Sequence, residues 1–203
     1  MVHDGIGELF DAVVVATTGD VAGEIVKPLP ETAVAMLQKL SYAPTMTVAF
    51  SVPDTLFAGS HHTYVPYVEN PMIAGYDNQV RKSASLAHEG RSLLNVYLYE
   101  DAVAALKDKK DEEIFGIVRA QLEKVCPEIK NSPEVVEPHE LKYWPRAMPK
   151  FRHDYVDLVT AFEKEGQGAH NIYLAGDYLN SLWTEGAARC GKRVAEMISN
   201  KHE

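Results

Sequence analysis

The sequence of 203 residues has few basic residues and almost no cysteine. Lysine and arginine total 20 against 29 aspartates and glutamates, which gives a formal net charge of −9. Because general nucleic-acid binding requires a basic face, this balance argues against that class of function. The two cysteines, Cys126 and Cys190, lie far apart and in no metal-binding spacing. A reducing, cytoplasmic setting suits them best.

The sequence features of a signal peptide and of a membrane-spanning helix are missing as well. The N-terminus, MVHDGIGELF, has neither the basic region nor the apolar stretch of a signal peptide. No segment approaches the roughly 20 apolar residues that a membrane-spanning helix requires. We therefore expect a protein without a transmembrane segment, with the ordinary globular content of 46% hydrophobic and 24% charged residues.

What the sequence does contain is mixed α and β patterning. Residues 11–17, DAVVVAT, form a β-branched run that is typical of a buried parallel strand. Residues 31–40 carry Val34, Leu37 and Leu40 at helical spacing, which predicts a helix with these apolar residues on one face.

The clearest helix is predicted over residues 111–125, DEEIFGIVRAQLEKV. Its acidic first turn and Lys124 in its last turn suit the helix dipole, and Pro127 prevents continuation. The other predicted elements are strands over 45–52, 72–76 and 92–99, extended structure over 134–144, a loop over 53–71, and helices over 154–164 and 185–199.

The last apolar strand, residues 172–175, runs into Gly176 and Asp177. Ligands of open α/β sheets bind beyond the carboxyl ends of the strands, where a carboxylate can accept a hydrogen bond from a hydroxyl group. The following helix opens on small residues, 186–188, which expose backbone N–H groups that suit an anion or a polarised carbonyl. Taken alone, these features fit a cofactor site and a merely structural strand end about equally.

The same final helix shows a slim apolar face for packing on a sheet. The residues predicted to form this face are Gly191, Val194, Ala195 and Ile198. The residues predicted to face water are Arg189, Lys192, Arg193 and Glu196.

Four segments together resemble the flavin-containing amine oxidase superfamily, in particular its protoporphyrinogen oxidase and phytoene desaturase-like branch. The first three are FDAVVVATTGDVAGEIV, LSYAPTMTVAFSV and LKYWPRAMPKF, and the fourth is the final strand and helix with Leu-Ala-Gly-Asp and Glu-Gly-Ala. They occur in the family's order with family-like spacing, and the likeness covers nearly the whole chain. Each segment alone is a weak signal, whereas the four jointly are specific.

The resemblance implies FAD as the cofactor and assigns residues to it. Those near the phosphates, the ribityl part or the flavin ring are Ala16, Thr17, Gly176, Asp177, Trp183 and Thr184. The backbone amides that would approach the pyrimidine end of the flavin belong to Glu185, Gly186 and Ala187. Such N–H groups stabilise the negative charge of a reduced flavin. Cys190 stands where the family usually has another small residue, and we interpret it as a packing residue.

The resemblance also implies a fold and a function. We expect a mixed α/β (α+β) fold, with a partial FAD-binding, Rossmann-like sheet and an inserted substrate-binding lobe of mixed or antiparallel sheet and helices. Residues 1–44 and 145–203 would form the FAD-binding region, and residues 45–144 the substrate lobe. The chain would be the C-terminal half, or a subunit, of an FAD-dependent oxidoreductase that oxidises a C–H or C–N bond of a small organic substrate.

The opening feature of that family, a Gly-X-Gly-X-X-Gly turn after the first strand, is missing from the sequence. Gly5-Ile6-Gly7 is the only candidate, and it fails because no strand precedes it and the third glycine is absent. Three explanations stay open: an excised fragment, a subunit whose partner chain carries the glycine-rich half, or a descendant without FAD. The descendant would be an isomerase, a cyclase or a binding protein. An open sheet edge would also allow a homo-oligomer.

Four residues are candidates for catalysis. If FAD has been lost, His61, His62 and Tyr64 are acid–base candidates, because histidine titrates near neutrality. Trp144 belongs to the Trp-Pro segment that resembles the family's segment near the flavin. Adjacent histidines point in different directions on an extended chain, so we expect no metal site.

Overall fold

The computed structural model describes residues 2–3, 6–56, 61–132 and 135–202. Gly5, part of the rejected glycine turn, lies outside the described residues. The expectation that no strand precedes this turn was wrong, because Val2–His3 form a two-residue strand that pairs antiparallel with Ile6–Gly7. The chain divides into two compact units: unit 1 comprises Met1–Ala43 and Met148–Glu203, and unit 2 comprises Pro44–Ala147. Among the helices of the described ranges, none is long and apolar enough to cross a bilayer.

Both units combine helices and strands. Unit 1 contains β1 (Val2–His3), β2 (Ile6–Gly7), β3 (Val13–Val15), α1 (Gly19–Ile25), α2 (Glu31–Lys39), α7 (Tyr155–Glu165), β9 (Ile172–Leu174) and α8 (Thr184–His202). Unit 2 contains β5 (His62–Tyr64), β6 (Ile73–Asn78), α3 (Gln79–Lys82), β7 (Arg91–Leu98), α4 (Glu100–Leu106), α5 (Asp111–Val125) and α6 (Pro127–Asn131). Two long strands, β4 (Tyr42–Pro53) and β8 (Glu137–Pro149), run across the unit boundaries in sequence.

The first and last apolar strands of the sequence pair with each other in unit 1. β3 and β9 are parallel, with Val13 opposite Ile172 and Val15 opposite Leu174. This confirms a parallel strand within the predicted range 11–17, of which only Val13–Val15 form the strand. Its burial is only partial, because successive side chains point to opposite faces: Val15 is buried, whereas Val14 is 47% exposed.

Two helices of unit 1 bury faces that differ from the predicted ones. α2 buries Ala33 and Met36, whereas Val34 is largely exposed. Leu37 and Leu40 pack half-buried against the core of unit 1, so the prediction was wrong only at Val34. Ala33 and Met36 complete the core-facing side of α2, which packs against α7.

The final helix, α8, also turns a different face to the core. It buries Cys190 and Val194, which confirms that Cys190 is a packing residue. Of the predicted members, Val194 is buried and Ile198 packs half-buried against the core as expected, whereas Gly191 and Ala195 are exposed. Arg193, predicted to face water, is half-buried and forms an ion pair with a glutamate of α7. The buried face therefore runs one position N-terminal to the predicted one along its first turns.

Unit 2 is built on a five-stranded sheet in the order β5-β6-β7-β4-β8. β7 alternates as predicted: its even-numbered residues are buried and its odd-numbered residues are half-buried. α5 covers residues 111–125 as predicted and buries Ile114, Val118 and Leu122 against this sheet. The predicted loop over 53–71 was wrong at residues 62–64, which form the edge strand β5.

Candidate functional site

The candidate cofactor residues of unit 1 lie at the carboxyl edge of its parallel strand pair. Ala16 and Thr17 directly follow β3, and Gly176 and Asp177 follow β9 after one intervening alanine. The parallel ladder extends to this level, because the Ala175 amide donates to the carbonyl oxygen of Val15 at 2.9 Å. The structure therefore brings these two predicted pairs together, at the edge where open α/β sheets bind ligands.

Gly176 is required by packing at this edge. Its backbone is extended, with φ 170°, a conformation that any residue adopts. A Cβ atom at this position would overlap with the ring of Tyr178. That ring is fully buried in the core of unit 1, and the Tyr155 hydroxyl donates to the carbonyl oxygen of Tyr178 at 3.1 Å. Glycine thus allows the chain to turn tightly over a buried tyrosine.

Asp177 presents a partly desolvated carboxylate just beyond β9. Its Oδ1 accepts a hydrogen bond from the backbone amide of Tyr178 at 2.8 Å, which fixes the side chain against its own chain. Burial raises the pKa of Asp177, and the backbone hydrogen bonds oppose this only in part. The carboxylate is therefore an oriented acceptor with incomplete solvation, which suits a hydroxyl donor of a ligand.

Replacing Asp177 with Asn should stabilise the chain in the absence of any ligand. Asparagine retains the acceptor for the Tyr178 amide and removes the partly buried charge. At neutral pH we expect the free energy of unfolding to rise by less than about 1 kcal/mol, because solvent screens the half-buried group. The measurement is urea unfolding followed by tryptophan fluorescence.

The pH dependence of this difference has a defined sign. Because the folded pKa of Asp177 is raised, the native chain loses stability as the pH rises from the ordinary value of 3.8 through the folded pKa. The gain from the Asn variant should therefore vanish in acid, below that ordinary value. Asp157→Asn, at an exposed position of α7, is the matched control and should show no such gain. A variant less stable than the native chain at neutral pH would contradict this prediction.

Gly186 lets the start of α8 pack closely on the preceding loop. A Cβ atom there would overlap with the carbonyl oxygen and hydroxyl of Ser181. From the same loop, the side-chain amide of Asn180 donates to the carbonyl oxygen of Gly186 at 3.3 Å. The helix start is thus held in place by side-chain contacts as well as by its own backbone.

Two of the predicted amide donors already have acceptors. The amides of Gly186 and Ala187 donate to the carbonyl oxygen of Trp183 at 2.8 and 3.2 Å. In the first turn of α8, the amides of Thr184 and Glu185 precede the first intrahelical bond and have no acceptor within the helix. The anion-attracting groups are therefore concentrated at these two residues, beside Trp183, whose side chain is 58% exposed.

The catalytic candidates of unit 2 are only partly assembled. His62 and Tyr64 lie on β5 with their ring centroids 4.3 Å apart, and His61 precedes them in an exposed position. Trp144 lies on β8, at the opposite edge of the sheet from β5. Its ring is contacted by the Nζ atom of Lys142, 5.7 Å from the centroid.

One polar residue of this sheet was missed by the sequence reasoning. Asp77 on β6 is a carboxylate that is only 7% exposed, and its Oδ2 accepts a hydrogen bond from the hydroxyl of Tyr97 at 3.3 Å. Burial, followed by the charge of Asp77, raises the pKa of Tyr97 to about 12. The signal in the sequence is a charged residue within the strand Ile73–Asn78, which is buried along most of its length. Within the ranges that the structure describes, no three His, Cys, Asp or Glu side chains are grouped to hold a metal ion.

The whole chain matches a known family. The sequence profile of the flavin containing amine oxidoreductases aligns with residues 2–199, and the chain therefore belongs to this family. This confirms the resemblance seen in the sequence and defines the chain, at the level of the family, as a flavin-dependent oxidoreductase homologue.

Among named relatives, the chain is similar to chloroplastic protoporphyrinogen oxidase 1 of two plants. It is 25% identical to the Spinacia oleracea protein over 208 residues, which cover 93% of this chain and 36% of that protein. It is 25% identical to the Arabidopsis thaliana protein over 181 residues, which cover 83% of this chain and 33% of that protein. The chain thus spans about a third of the length of these relatives.

Solved structures confirm the predicted fold class. A putrescine oxidase with redesigned cofactor binding superimposes with a TM-score of 0.70 at 17% identity, over 93% of this chain and 42% of that one. Cyclohexylamine oxidase from Brevibacterium oxydans superimposes with a TM-score of 0.68 at 13% identity, over 94% of this chain and 43% of that one. At such identities the likeness concerns the fold, which is the mixed α/β fold expected from the sequence.

The residues at the edge of unit 1 fit one part of an FAD molecule. The oriented carboxylate of Asp177 suits a hydroxyl of the ribityl chain, and the first-turn amides of α8 suit an electron-rich carbonyl of the flavin ring. The pyrophosphate requires a glycine-rich turn, and the sequence contains none. The fit therefore covers the closing contacts to the ribityl chain and ring.

Proposed function

We propose that this chain provides the closing FAD contacts and the substrate-binding lobe of a flavin-dependent oxidoreductase. The complete enzyme would oxidise a C–H or C–N bond of a small organic substrate. In this proposal unit 1 is the FAD-binding part and unit 2 is the substrate-binding part. The main support for this proposal is the position of four predicted cofactor residues in a chain that belongs to a flavin family. Ala16, Thr17, Gly176 and Asp177 all lie at one edge of a parallel strand pair.

The residues of unit 1 have separate tasks in this proposal. Asp177 accepts a hydrogen bond from a hydroxyl of the cofactor and thereby fixes its position. The amides of Thr184 and Glu185, with the positive end of α8, stabilise negative charge that develops on the ring. Trp183 covers the ring from its exposed position. When bound, FAD would accept a hydride equivalent from the substrate.

The glycine-rich half of the cofactor site would come from another polypeptide segment. In the ranges that the structure describes, the parallel sheet of unit 1 has only the strands β3 and β9, so their outer edges have no neighbouring strand within the described sheet. Open edges of this kind recruit further strands. A segment that carries a Gly-X-Gly-X-X-Gly turn would extend this sheet and bind the pyrophosphate, either on the same polypeptide or on a partner chain.

Flavin reconstitution tests this proposal. The chain should be co-expressed with a polypeptide that carries a glycine-rich FAD half, and the copurified material assayed for flavin absorbance and fluorescence. We expect flavin in the complex and little in the chain alone. Complex formation without flavin would contradict the proposal and would favour a cofactor-free isomerase, cyclase or binding protein on the same scaffold.

Within that complex, Asp177→Asn separates cofactor binding from folding. The same variant that stabilises the free chain should weaken FAD binding by about tenfold, because it removes the charge from a charge-assisted hydrogen bond. Asp157→Asn should leave the affinity for FAD unchanged. If Asp177→Asn binds FAD as tightly as Asp157→Asn and the native chain do, Asp177 has no part in the cofactor site.

A further inference from the structure

The outer edge of β9, on the side away from β3, carries hydrogen bonds although no described strand lies beside it. The Ala175 amide donates to the carbonyl oxygen of Val15, so the backbone groups of Ala175 face β3. Because successive residues of a strand direct their backbone groups to alternate sides, Leu174 and Ile172 direct theirs to the outer edge. These are the groups with which a further strand would pair.

The side chain of Gln167 already bonds to both outward groups of Leu174. The Leu174 amide donates to Oε1 of Gln167 at 2.9 Å, and Nε2 of Gln167 donates to the Leu174 carbonyl oxygen at 2.8 Å. A primary amide offers the same N–H donor and carbonyl acceptor as a peptide group. Gln167 therefore forms the pair of bonds that a residue of a neighbouring strand would form.

The loop over residues 166–171 is folded back onto β9 by left-handed backbone conformations. Gly168, His170 and Asn171 have φ values of 79°, 56° and 60°. Left-handed conformations are uncommon outside glycine, and a structure retains them where its surroundings enforce them. The Ile172 amide, the next outward donor of β9, donates to the carbonyl oxygen of Ala169 in this loop. The loop thus bonds to two successive outward amides of the strand.

Both ends of this loop are attached to helices. The Gln167 amide donates to the carbonyl oxygen of Phe162 in α7 at 2.9 Å. At the other end, Nζ of Lys201 in α8 donates to Oδ1 of Asn171 at 2.6 Å. The backbone of Gln167 is therefore fixed beside β9, so its side chain reaches Leu174 from a defined position.

The opposite edge of this strand pair is different. Since the Val15 carbonyl faces β9, the backbone groups of Val14 point to the outer side of β3. The Val14 side chain is 47% exposed. An edge strand with outward-pointing backbone groups is a template for another strand.

We propose that Gln167 closes β9 against strand addition, so that a further strand can join the sheet of unit 1 only beside β3. Charged residues and prolines are the usual protection of an edge strand, and a loop that covers the edge is another. Here one side-chain amide takes the place of a peptide group, and the left-handed loop holds it there. Gln167 thereby determines on which side unit 1 accepts another chain.

The closed edge concerns the chain by itself and goes beyond the proposed function. It deepens that function at one point, which rests on the flavin proposal: the glycine-rich segment would join beside β3. The test below uses neither flavin nor a second polypeptide. Failed flavin reconstitution would therefore leave the role of Gln167 standing, and an open β9 edge would leave the flavin proposal standing.

The test compares the full native chain with Gln167→Ala by sedimentation velocity over a wide range of protein concentrations. We expect the variant to self-associate at about tenfold lower concentration, because the two outward groups of Leu174 become available to a second copy. Gln38→Ala is the matched control, since Gln38 is an exposed glutamine of α2 in the same unit, and it should sediment as the native chain does. Equal self-association of Gln167→Ala and the native chain would overturn the proposal.

Amide hydrogen exchange of the ¹⁵N-labelled chains locates the association. In dilute Gln167→Ala the Leu174 amide should exchange about tenfold faster than in the native chain, and it should slow again as the concentration rises. The native chain should show no such dependence on concentration at residues 172–174. Unchanged exchange of Leu174 in dilute Gln167→Ala, or protection that appears only at residues 13–15, would refute the closed edge. Should Gln167→Ala fail to fold, Gln167→Asn replaces it, because its shorter side chain cannot reach both groups of Leu174.

Discussion

Alanine in place of Gly186 should destabilise unit 1 by about 3 kcal/mol, at the upper end of the usual cost of overpacking. The added Cβ would overlap with a backbone carbonyl oxygen of Ser181, and a backbone atom cannot move aside as a flexible side chain can. α8 would have to shift from the loop, which breaks the hydrogen bond from Asn180. Because the first turn of α8 is a proposed flavin contact, FAD binding in the reconstituted complex should fall as well.

The measurement uses the distribution of tryptophan in the chain. There are two tryptophans, Trp144 in unit 2 and Trp183 in unit 1. In a Trp144→Phe background, urea unfolding followed by fluorescence therefore reports on unit 1 alone.

Gly191→Ala on the same helix is the matched control. A Cβ there would meet no atom within 4 Å, and the position is exposed. We expect this change to stabilise the helix by roughly 0.8–1 kcal/mol, which is the difference in helix propensity between glycine and alanine. If both glycine changes shifted stability in the same direction, the close packing of Gly186 on the loop would be wrong.

Leu94→Ala should destabilise unit 2 by about 2–5 kcal/mol, the range for truncation of a large buried side chain. Leu94 is fully buried in the middle of β7, opposite Phe50 of β4 and Asn78 of β6. Its loss leaves a cavity between the sheet and the helices. Urea unfolding in a Trp183→Phe background, with Trp144 as the reporter, measures the change in unit 2.

Leu93→Ala tests the register of the same strand. Leu93 is the preceding residue, points to the opposite face and is half-buried, so its truncation should cost about 1 kcal/mol. Because a register slip by one residue exchanges the two faces, equal costs or a reversed order would contradict the described alternation.

The sequence predicted elements best where local signals agree. The helix over 111–125 combines acidic residues at its start, a lysine at its end and a proline just beyond, and the structure reproduces its bounds. The short helix α4, Glu100–Leu106, directly follows a strand that was predicted to reach Tyr99, and it was not predicted. Its start has no turn residue to mark it, since Tyr99 is the N-cap.

The sequence predicted where helices occur better than it predicted which face of each helix is buried. In α2 and α8, small residues such as Ala33, Gly191 and Ala195 are compatible with either the buried or the exposed side, so hydrophobic spacing leaves the rotation undetermined by about one residue. In α8 the buried side includes Cys190 and Val194, and Arg193 lies beside it and pairs with a glutamate of α7.

The two parts of the candidate site differ in how far the sequence predicts them. The edge with Asp177 follows from local order, since a strand, a glycine, an acid and a helix are consecutive in the chain. The surroundings of Asp77 depend on the register between strands that are separated by loops: Asp77 lies opposite Asn95 of β7 and opposite His62 of β5, which is in a segment predicted as loop. Neither Asp77 nor Asn95 can be selected as a candidate from the sequence before the pairing of the strands is known.

The strand β8 bears on the handling of the protein in solution. It ends the strand order of the five-stranded sheet, is 13 residues long and exposes most of its side chains. A long exposed edge is a template for aggregation, but Pro138 and Pro145 each remove an amide donor from the strand, and charged residues such as Lys142 lie along it. These residues act as gatekeepers, so a variant with Pro145 replaced by valine would be expected to lose solubility before it loses structure.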